Sequence, residues 1–426
     1  MKKINVLIFP AGEINSVELH DALSTCVNIN VYGASSIERH GRFIFNNYIK
    51  GLPNITEDNF ISEFNKMIDA NNIDMIFPTH DTISLFLNQN SAAIKAKIAG
   101  GDFRTTEICR YKHQTYNLFK NNDFVPVIYE DIRSIKKYPV FIKPNVGQGT
   151  VNAKMVTLAD ELVTIDFGEY VVSEYLPGEE LTVDCFTDKD GRLRYVSPRT
   201  RDRIMAGVSV AGRTIQATNE IQHIAGEINS QLHFLGLWYF QVKQDCNNRY
   251  KLLEISTRCA GAMCLTRAKG VNLPLLSVYA LMGYETEVFD NDCNVIMDRT
   301  LIGRYDIDYE YDAVYLDLDD TLIVNGKVNL NAIRFLYQCR NKHINVFLLS
   351  KHAKYIDATL EEFAISKSLF SAIFHLKQED DKYKFINHPK SIFIDNAFME
   401  RKMVKEKLNI PVFDVDGIEF LLDWRI

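Results

Sequence analysis

Two groups of residues in this sequence have the types and spacing for phosphate chemistry. In the first, Lys143 closes the apolar run VFIKP and is followed by Asn145, Val146, Gly147, Gln148, Gly149 and Thr150. A cation beside two glycines lets backbone N–H groups approach phosphate oxygens with no Cβ in the way. A plain hairpin turn carrying an exposed lysine is the other reading of the same letters. Next, VVSEYLPGEE ends a strand at Glu174 and Leu176, a carboxylate and backbone groups suited to adenine, with Glu180 placed for ribose hydroxyls. A solvated acidic turn is the alternative there. Gln241 in WYFQVKQD and Glu254 in KLLEIS sit among apolar neighbours on two strands joined by a hairpin, so adjacent pairing would put both on one face. A carboxylate on an apolar strand is costly unless it is paired or holds a metal. Arg258 and Arg267 lie close in sequence, so an ion pair of Glu254 with Arg258 competes with a metal site. Holding ATP for phosphoryl transfer takes cations on the phosphates, a glycine-rich cover, a slot for adenine and carboxylates for Mg²⁺. This stretch offers them in order.

The second group begins in AVYLDLDDTLI, an apolar strand ending in Asp317, Asp319, Asp320 and Thr321. Carboxylates crowded at a buried strand end repel one another and need a cation. One can act as nucleophile and another as acid and base, through an aspartyl phosphate. Ser350 ends NVFLLS and can bind a phosphate oxygen, Lys382 or Lys384 can neutralise the phosphate, and Asp395, Asn396 and Glu400 follow the strand SIFID. Acidic loops at exposed strand ends are the plainer alternative.

The elements that must position these residues fall into three textures. Residues 4–9 (INVLIF) read as a strand, followed by a helical stretch through Val17, Leu19 and Leu23, a strand from Ile29 to Tyr32, a helical period over 58–70 and a strand in DMIFPTHD. Strands alternating with helices predict a parallel sheet with right-handed crossovers. Only Gly12 stands after the first strand, so a G-x-G-x-x-G dinucleotide turn is absent and this part reads as a supporting domain. Gly12, Thr79, His80 and Asp81 sit at strand ends, where open α/β sheets bind ligands; for His80 a surface histidine is the competing reading. From residue 105 to 300 strands pair through turns, among them Thr187–Gly191 (TDKDG) and Cys-Asn-Asn-Arg at 246–249. VNAKMVTL is expected as one of these strands. From Ala313 the parallel α/β alternation returns. The expected fold class is therefore α/β and α+β: an α/β domain at 1–104, an α+β domain at 105–300, a linker at 301–311 and a small α/β domain at 312–426.

The chain has 426 residues, 46 % hydrophobic and 24 % charged, with a formal net charge of −7. That balance permits a packed core and argues against nucleic acid or an anionic membrane as the main partner. Eight cysteines are scattered with no C-x-x-C pair, as for buried thiols in a reducing compartment. No signal peptide and no apolar run of about 18 residues is present, so a cytoplasmic chain that spans no membrane is expected.

Taken together, YPVFIKPNVGQG, VVSEYLPGEELTVDCF, LLEISTRCAGAM and RAKGVNLPLLSVYALMG resemble the ATP-grasp superfamily over about residues 1–290, closest to its carbamoyl-phosphate-synthetase-like and carboxylate–amine ligase members. The resemblance implies a pre-ATP-grasp α/β domain followed by an ATP-grasp domain of two α+β subdomains, using ATP and Mg²⁺. It implies that Lys112 and Lys143 bind phosphates, Gly147 and Gly149 cover them, Glu174 and Leu176 hold adenine and Glu180 the ribose. Gln241 and Glu254 would hold Mg²⁺, Arg258 would stabilise the transition state, and Arg199, Arg201, Arg203 and Arg267 would serve the substrate. Ser256 and Thr257 depart from the family's asparagine and proline, which puts a second metal in doubt. The implied reaction joins a small-molecule carboxylate to an amine or ammonia through an acyl phosphate, in a chain that can form a homodimer. Residues 312–426 resemble the haloacid dehalogenase (HAD) superfamily, with an Asp-Asn fourth motif as in its small capless phosphatases. That likeness implies a capless Rossmannoid domain acting on a phosphate ester. Asp317 would be nucleophile, Asp319 acid and base, Ser350 and Lys382 phosphate binders, and Asp317, Asp319, Asp395 and Asn396 the Mg²⁺ site. A docking or regulatory HAD module, and a nucleotide sensor without turnover, are the competing functions.

Overall fold

The computed structural model describes residues 3–147, 151–205 and 207–425. The chain divides into two compact units, one ending at Leu301 and one running from Ile302 to Arg425.

In the first unit, a parallel five-stranded sheet runs in the order Asn47–Ile49, Ile29–Ala34, Ile4–Phe9, Met75–Pro78, Lys97–Ile98. The central strand INVLIF is buried on both faces, as a parallel sheet covered on both sides requires. Its alternate residues split between two cores. Leu7 and Phe9 pack with Phe60 and Phe64 of the helix Phe60–Asn71. Val6 and Ile8 pack with Leu19 and Leu23 of the helix Ile14–Leu23, and also with Leu237, Tyr239 and Leu273 far along the chain. The N-terminal sheet and the antiparallel region thus share one core.

Two short helices, Phe103–Arg110 and Lys112–Leu118, lead into that region. One antiparallel sheet has the order Ile128–Tyr129, Tyr170–Glu174, Val140–Pro144, Lys154–Val156. A second has Leu193–Thr200, Glu180–Thr187, Phe234–Gln244, Tyr250–Ser256, around Trp238 stacked on Phe234 at 4.1 Å. Both hairpins expected from turn residues close this sheet: Gly191 donates to the Asp188 carbonyl at φ +78°, and Asn248 takes φ +60° before Arg249. VNAKMVTL is strand only over Lys154–Val156. Asn152 enters at φ +59°, and the Glu161 carboxylate takes the N–H groups of Thr157 and Leu158, which ends pairing. Gly100–Gly101 pairs with Phe234–Leu235. Gly100 sits at φ +115°, and a Cβ there would lie 2.0 Å from the Thr257 carbonyl oxygen, so only glycine allows this approach. Arg203–Met205, Val208–Arg213 and Ile296–Asp298 form a small separate sheet.

The second unit is a parallel sheet in the order Ala372–His375, Asn345–Ser350, Ala313–Leu316, Ser391–Ile394, Val412–Phe413. Between its first two strands in sequence lie only a hairpin, turning at Asn325-Gly326 with both φ positive, and the helix Leu330–Asn341. Among the described residues, no helix is long and apolar enough to cross a membrane.

Candidate active site

Antiparallel pairing in the first small sheet sets Lys143 opposite Val171 and Glu174 opposite Val140, and both Lys143 and Glu174 line one cavity of about 160 Å³. Lys112, Gly147, Leu176, Glu180, Gln241 and Glu254 line it too. The Lys143 ammonium donates to the Tyr116 oxygen at 2.6 Å and to the Leu253 carbonyl at 2.9 Å. Burial drives its pKa down, the Lys112 charge adds to this, and the result is about 7. Burial likewise lowers Lys112, partly offset by Glu254. Lys112 and Arg110 both donate to the Gly147 carbonyl at 3.3 Å, which ties the start of the glycine segment to two cations. Gly149 lies outside the described residues. At the far end, Glu174 accepts the Val127 N–H at 2.9 Å, and Leu176 is buried. Glu180 pairs with Arg201 at 2.7 Å and Lys243 at 3.6 Å.

The long hairpin pairs Gln241 directly with Glu254, with a bulge just beyond Gln241. The Gln241 amide donates to the Glu254 carboxylate at 3.3 Å and accepts from Arg201 at 3.0 Å. Glu254 is not the partner of Arg258. That arginine pairs with Asp81 at 3.0 Å, donates to the Cys259 carbonyl at 3.1 Å and lies over the Tyr239 ring. Burial pushes the Asp81 carboxyl up, but the Arg258 guanidinium and the Ser256 hydroxyl outweigh it and hold its pKa down at about 2. Ser256 is engaged by Asp81 at 2.6 Å, and Thr257 by Ser84 at 3.1 Å. The two departures from the family pattern are thus hydrogen-bonded to the N-terminal segment. His80 caps the helix Asp81–Gln89, its ring accepting the Thr82 N–H.

A second cavity, of about 200 Å³, is lined by Glu13, Asn15, Thr79, Arg199, Tyr239 and Arg258, and shares Arg201, Gly207, Gln241 and Glu254 with the first. Arg199 lines it while its Nε and Nη2 grip the buried Asp184 at 2.9 and 3.1 Å. Two expected substrate residues line neither cavity. Arg203 is exposed and pairs with Asp298 at 2.7 Å on the small sheet. Arg267 makes a two-point contact with Glu18 of the N-terminal helix, at 2.9 and 3.2 Å.

In the second unit, Asp317, Ser350 and Asp395 stand at the C-terminal ends of three adjacent parallel strands. Lys382 is 3 % exposed and its ammonium bridges Asp317 at 2.8 Å and Asp395 at 2.6 Å. Lys384 instead pairs with Asp381 on the surface. Burial and the neighbouring Asp317 raise Asp395 to about 6, despite Lys382. Burial also raises Asp317, while Lys382 and the Ser350 hydroxyl favour its charged form. Asp319 is exposed and held by His352, whose ring nitrogens bridge it at 2.8 Å and Thr359 at 2.8 Å. Asn396 is exposed, its backbone N–H on the Thr321 hydroxyl. Glu400 is ion-paired with Lys351. Sequence reading missed Asn15, Tyr116 and His352. Tyr116, 136 and 137 positions from the strand carbonyls it touches, left no signal, whereas a histidine two residues past the strand end at Ser350 could have been noticed.

Residues 166–298 match the model of a family described as ATP-grasp in the biosynthetic pathway with Ter operon. No curated protein matches the sequence. Biotin carboxylase from Campylobacter jejuni superposes with a TM-score of 0.55 at 15 % identity, covering 68 % of this chain and 74 % of that one. L-amino acid ligase from Bacillus licheniformis gives 0.52 at 16 %, over 66 % and 75 %. N5-carboxyaminoimidazole synthetase from Staphylococcus aureus, complexed with ADP, gives 0.56 at 12 %, over 67 % and 79 %. The mixed α/β architecture is that of the ATP-grasp fold.

Proposed function

We propose that the first unit is an ATP- and Mg²⁺-dependent ligase that activates a carboxylate as an acyl phosphate and passes it to an amine or ammonia. The observation that carries this reading is the meeting of the two cavities at Gln241, Glu254 and Arg201. The first takes the nucleotide, with Glu174 and Leu176 at adenine, Glu180 at the ribose, and Lys112, Lys143, Gly147 and Gly149 on the phosphates. The second takes the acid. The donor set at the junction, the Glu254 carboxylate and the Gln241 amide oxygen once that amide turns from Arg201, fits Mg²⁺, which needs only one or two protein carboxylates when phosphates complete its shell. Bound there by Glu254 and Gln241, Mg²⁺ would neutralise charge on the transferring phosphoryl group. The carboxylate oxygen attacks the γ-phosphorus and ADP leaves. Arg258, fixed by Asp81, adds positive charge for the transition state. An amine then attacks the acyl carbon, phosphate departs, and the amine's proton passes to solvent. A coupled ADP-release screen of amino acids and sugar acids, with and without amines, tests this: release must depend on a carboxylate, and carboxylate-independent or absent release rejects it.

Lys143 supplies a pH prediction. A group with a pKa of about 7 is half deprotonated at neutrality, and bound polyphosphate favours its charged form, so nucleotide binding takes up a proton. MgADP affinity, read by calorimetry, should fall about 25-fold as pH rises from 6.5 to 8.5. Lys143→Arg, which keeps its charge throughout, should flatten that slope. Parallel profiles for the two proteins would remove Lys143 from the phosphate site.

For the second unit, the same kind of reading is a Mg²⁺-dependent HAD-type phosphatase. Its support is the convergence of Asp317, Ser350, Lys382 and Asp395 at one sheet edge. Two buried carboxylates, both pushed up by burial and Asp395 further by Asp317, suit a hard divalent cation, with Asp317, Asp395, Asn396 and Asp319 as the proposed oxygen ligands. Asp317 would attack the phosphate ester, and Asp319, turning from His352, would protonate the leaving alcohol and then activate water.

A further inference from the structure

The acid cavity contains two buried side chains whose hydrogen-bonding capacity is unused, and they have opposite polarity. Asn15 is 3 % exposed and donates both amide hydrogens, to the Thr79 carbonyl at 2.7 Å and the Cys259 carbonyl at 3.1 Å. Those two carbonyls fix which end of the amide is nitrogen. Its Oδ1 is left with no partner among the described residues. Arg199 is 2 % exposed and spends Nε and Nη2 on Asp184, leaving Nη1 without a partner among the described residues. Both residues line the cavity.

Buried polar atoms are normally satisfied, and an unpaired one is costly. One free acceptor and one free donor in the same cavity call for a ligand with a donor at one end and an acceptor at the other. Neutral hydroxyl donors would satisfy Asn15, but the cavity adds a charge preference. Glu13 lines the same cavity and is ion-paired with the exposed Arg39 at 3.1 Å. A carboxylate beside an amide oxygen favours an ammonium over a hydroxyl. Arg199, Arg201 and Arg258 line the cavity as well and favour a carboxylate, next to Glu254 and Gln241 where phosphoryl transfer would occur.

We infer that the acid activated by this protein is an amino carboxylate, bound as a zwitterion. Its ammonium donates to Asn15 Oδ1 under the Glu13 charge, and its carboxylate accepts from Arg199 Nη1. The inference rests on the ligase reading for which end reacts, but binding alone can test it. The full chain, saturated with MgADP, is titrated by calorimetry with matched trios: an amino acid, its 2-hydroxy acid and its deaminated acid, on small, acidic, basic and aromatic skeletons, with β- and γ-amino acids included. At least one amino member should bind about tenfold tighter than both its analogues. Asn15→Leu and Glu13→Gln should each shrink that ratio, the isosteric Glu13→Gln serving as the variant at a half-buried position whose ion pair is with an exposed arginine. If every amino acid fails to bind, or its analogues bind as tightly, the inference is overturned. Selective amino-acid binding with no ADP release under any amine leaves it standing and removes the ligase reading instead.

Discussion

Glu254→Gln should lower carboxylate-dependent ADP release by about 10³-fold with an unchanged melting temperature. The side chain stands where the two cavities join and accepts a hydrogen bond from the Gln241 amide. Glutamine keeps the volume and a hydrogen bond, so the fold loses little; surface and half-buried isosteric changes of this kind fall within about 0.5 kcal/mol. The missing charge is what matters. If Glu254 holds Mg²⁺ as proposed, its loss would remove an anionic ligand where charge moves from ATP to the acid, and about 4 kcal/mol of transition-state stabilisation with it. The effect should fall on kcat more than on MgADP affinity, because Lys112 and Lys143 still grip the phosphates. Normal turnover by this variant would show that Glu254 serves the fold and not the reaction.

Asp317→Asn should abolish hydrolysis of p-nitrophenyl phosphate, a loss of about 10³-fold or more, since an amide cannot form the acyl phosphate. Stability should hold or rise. Asp317 and Asp395 are buried side by side and share the single ammonium of Lys382, so removing one negative charge relieves their repulsion. Asp395, now raised to about 6, would titrate lower in the variant. Undiminished hydrolysis would disqualify Asp317 as nucleophile. A wild-type unit with no hydrolysis of any phosphate ester would instead favour a docking role.

How much of this was legible in the sequence depended on how local each constraint is. The parallel strands, the TDKDG and Cys-Asn-Asn-Arg hairpins, and the register that sets Gln241 against Glu254 all follow from short apolar runs and turn residues. The arginines were harder. Arg199, Arg201 and Arg203 alternate along one stretch, yet their fates differ. Arg199 is buried on Asp184, Arg201 bridges Glu180 and Gln241, and Arg203 reaches the surface on a different sheet. Arg267 turned to Glu18, a residue 249 positions away. The same distance hid the anchoring of Arg258 by Asp81, 177 positions apart. Long-range ion pairs leave no periodicity, and Lys382 was separable from Lys384 only by burial.

The two cavities draw on different stretches of the polypeptide. Among the described residues, those lining the first cavity lie at Lys112 or later, whereas Glu13, Ile14, Asn15 and Thr79 of the leading segment help wall the other. On the proposed assignment, substitutions at Glu13, Ile14, Asn15 or Thr79 would change which acid is chosen while leaving the lining of the first cavity as it is. Natural variation in that segment is where a lineage could diversify its products while the energy-coupling half stays constant.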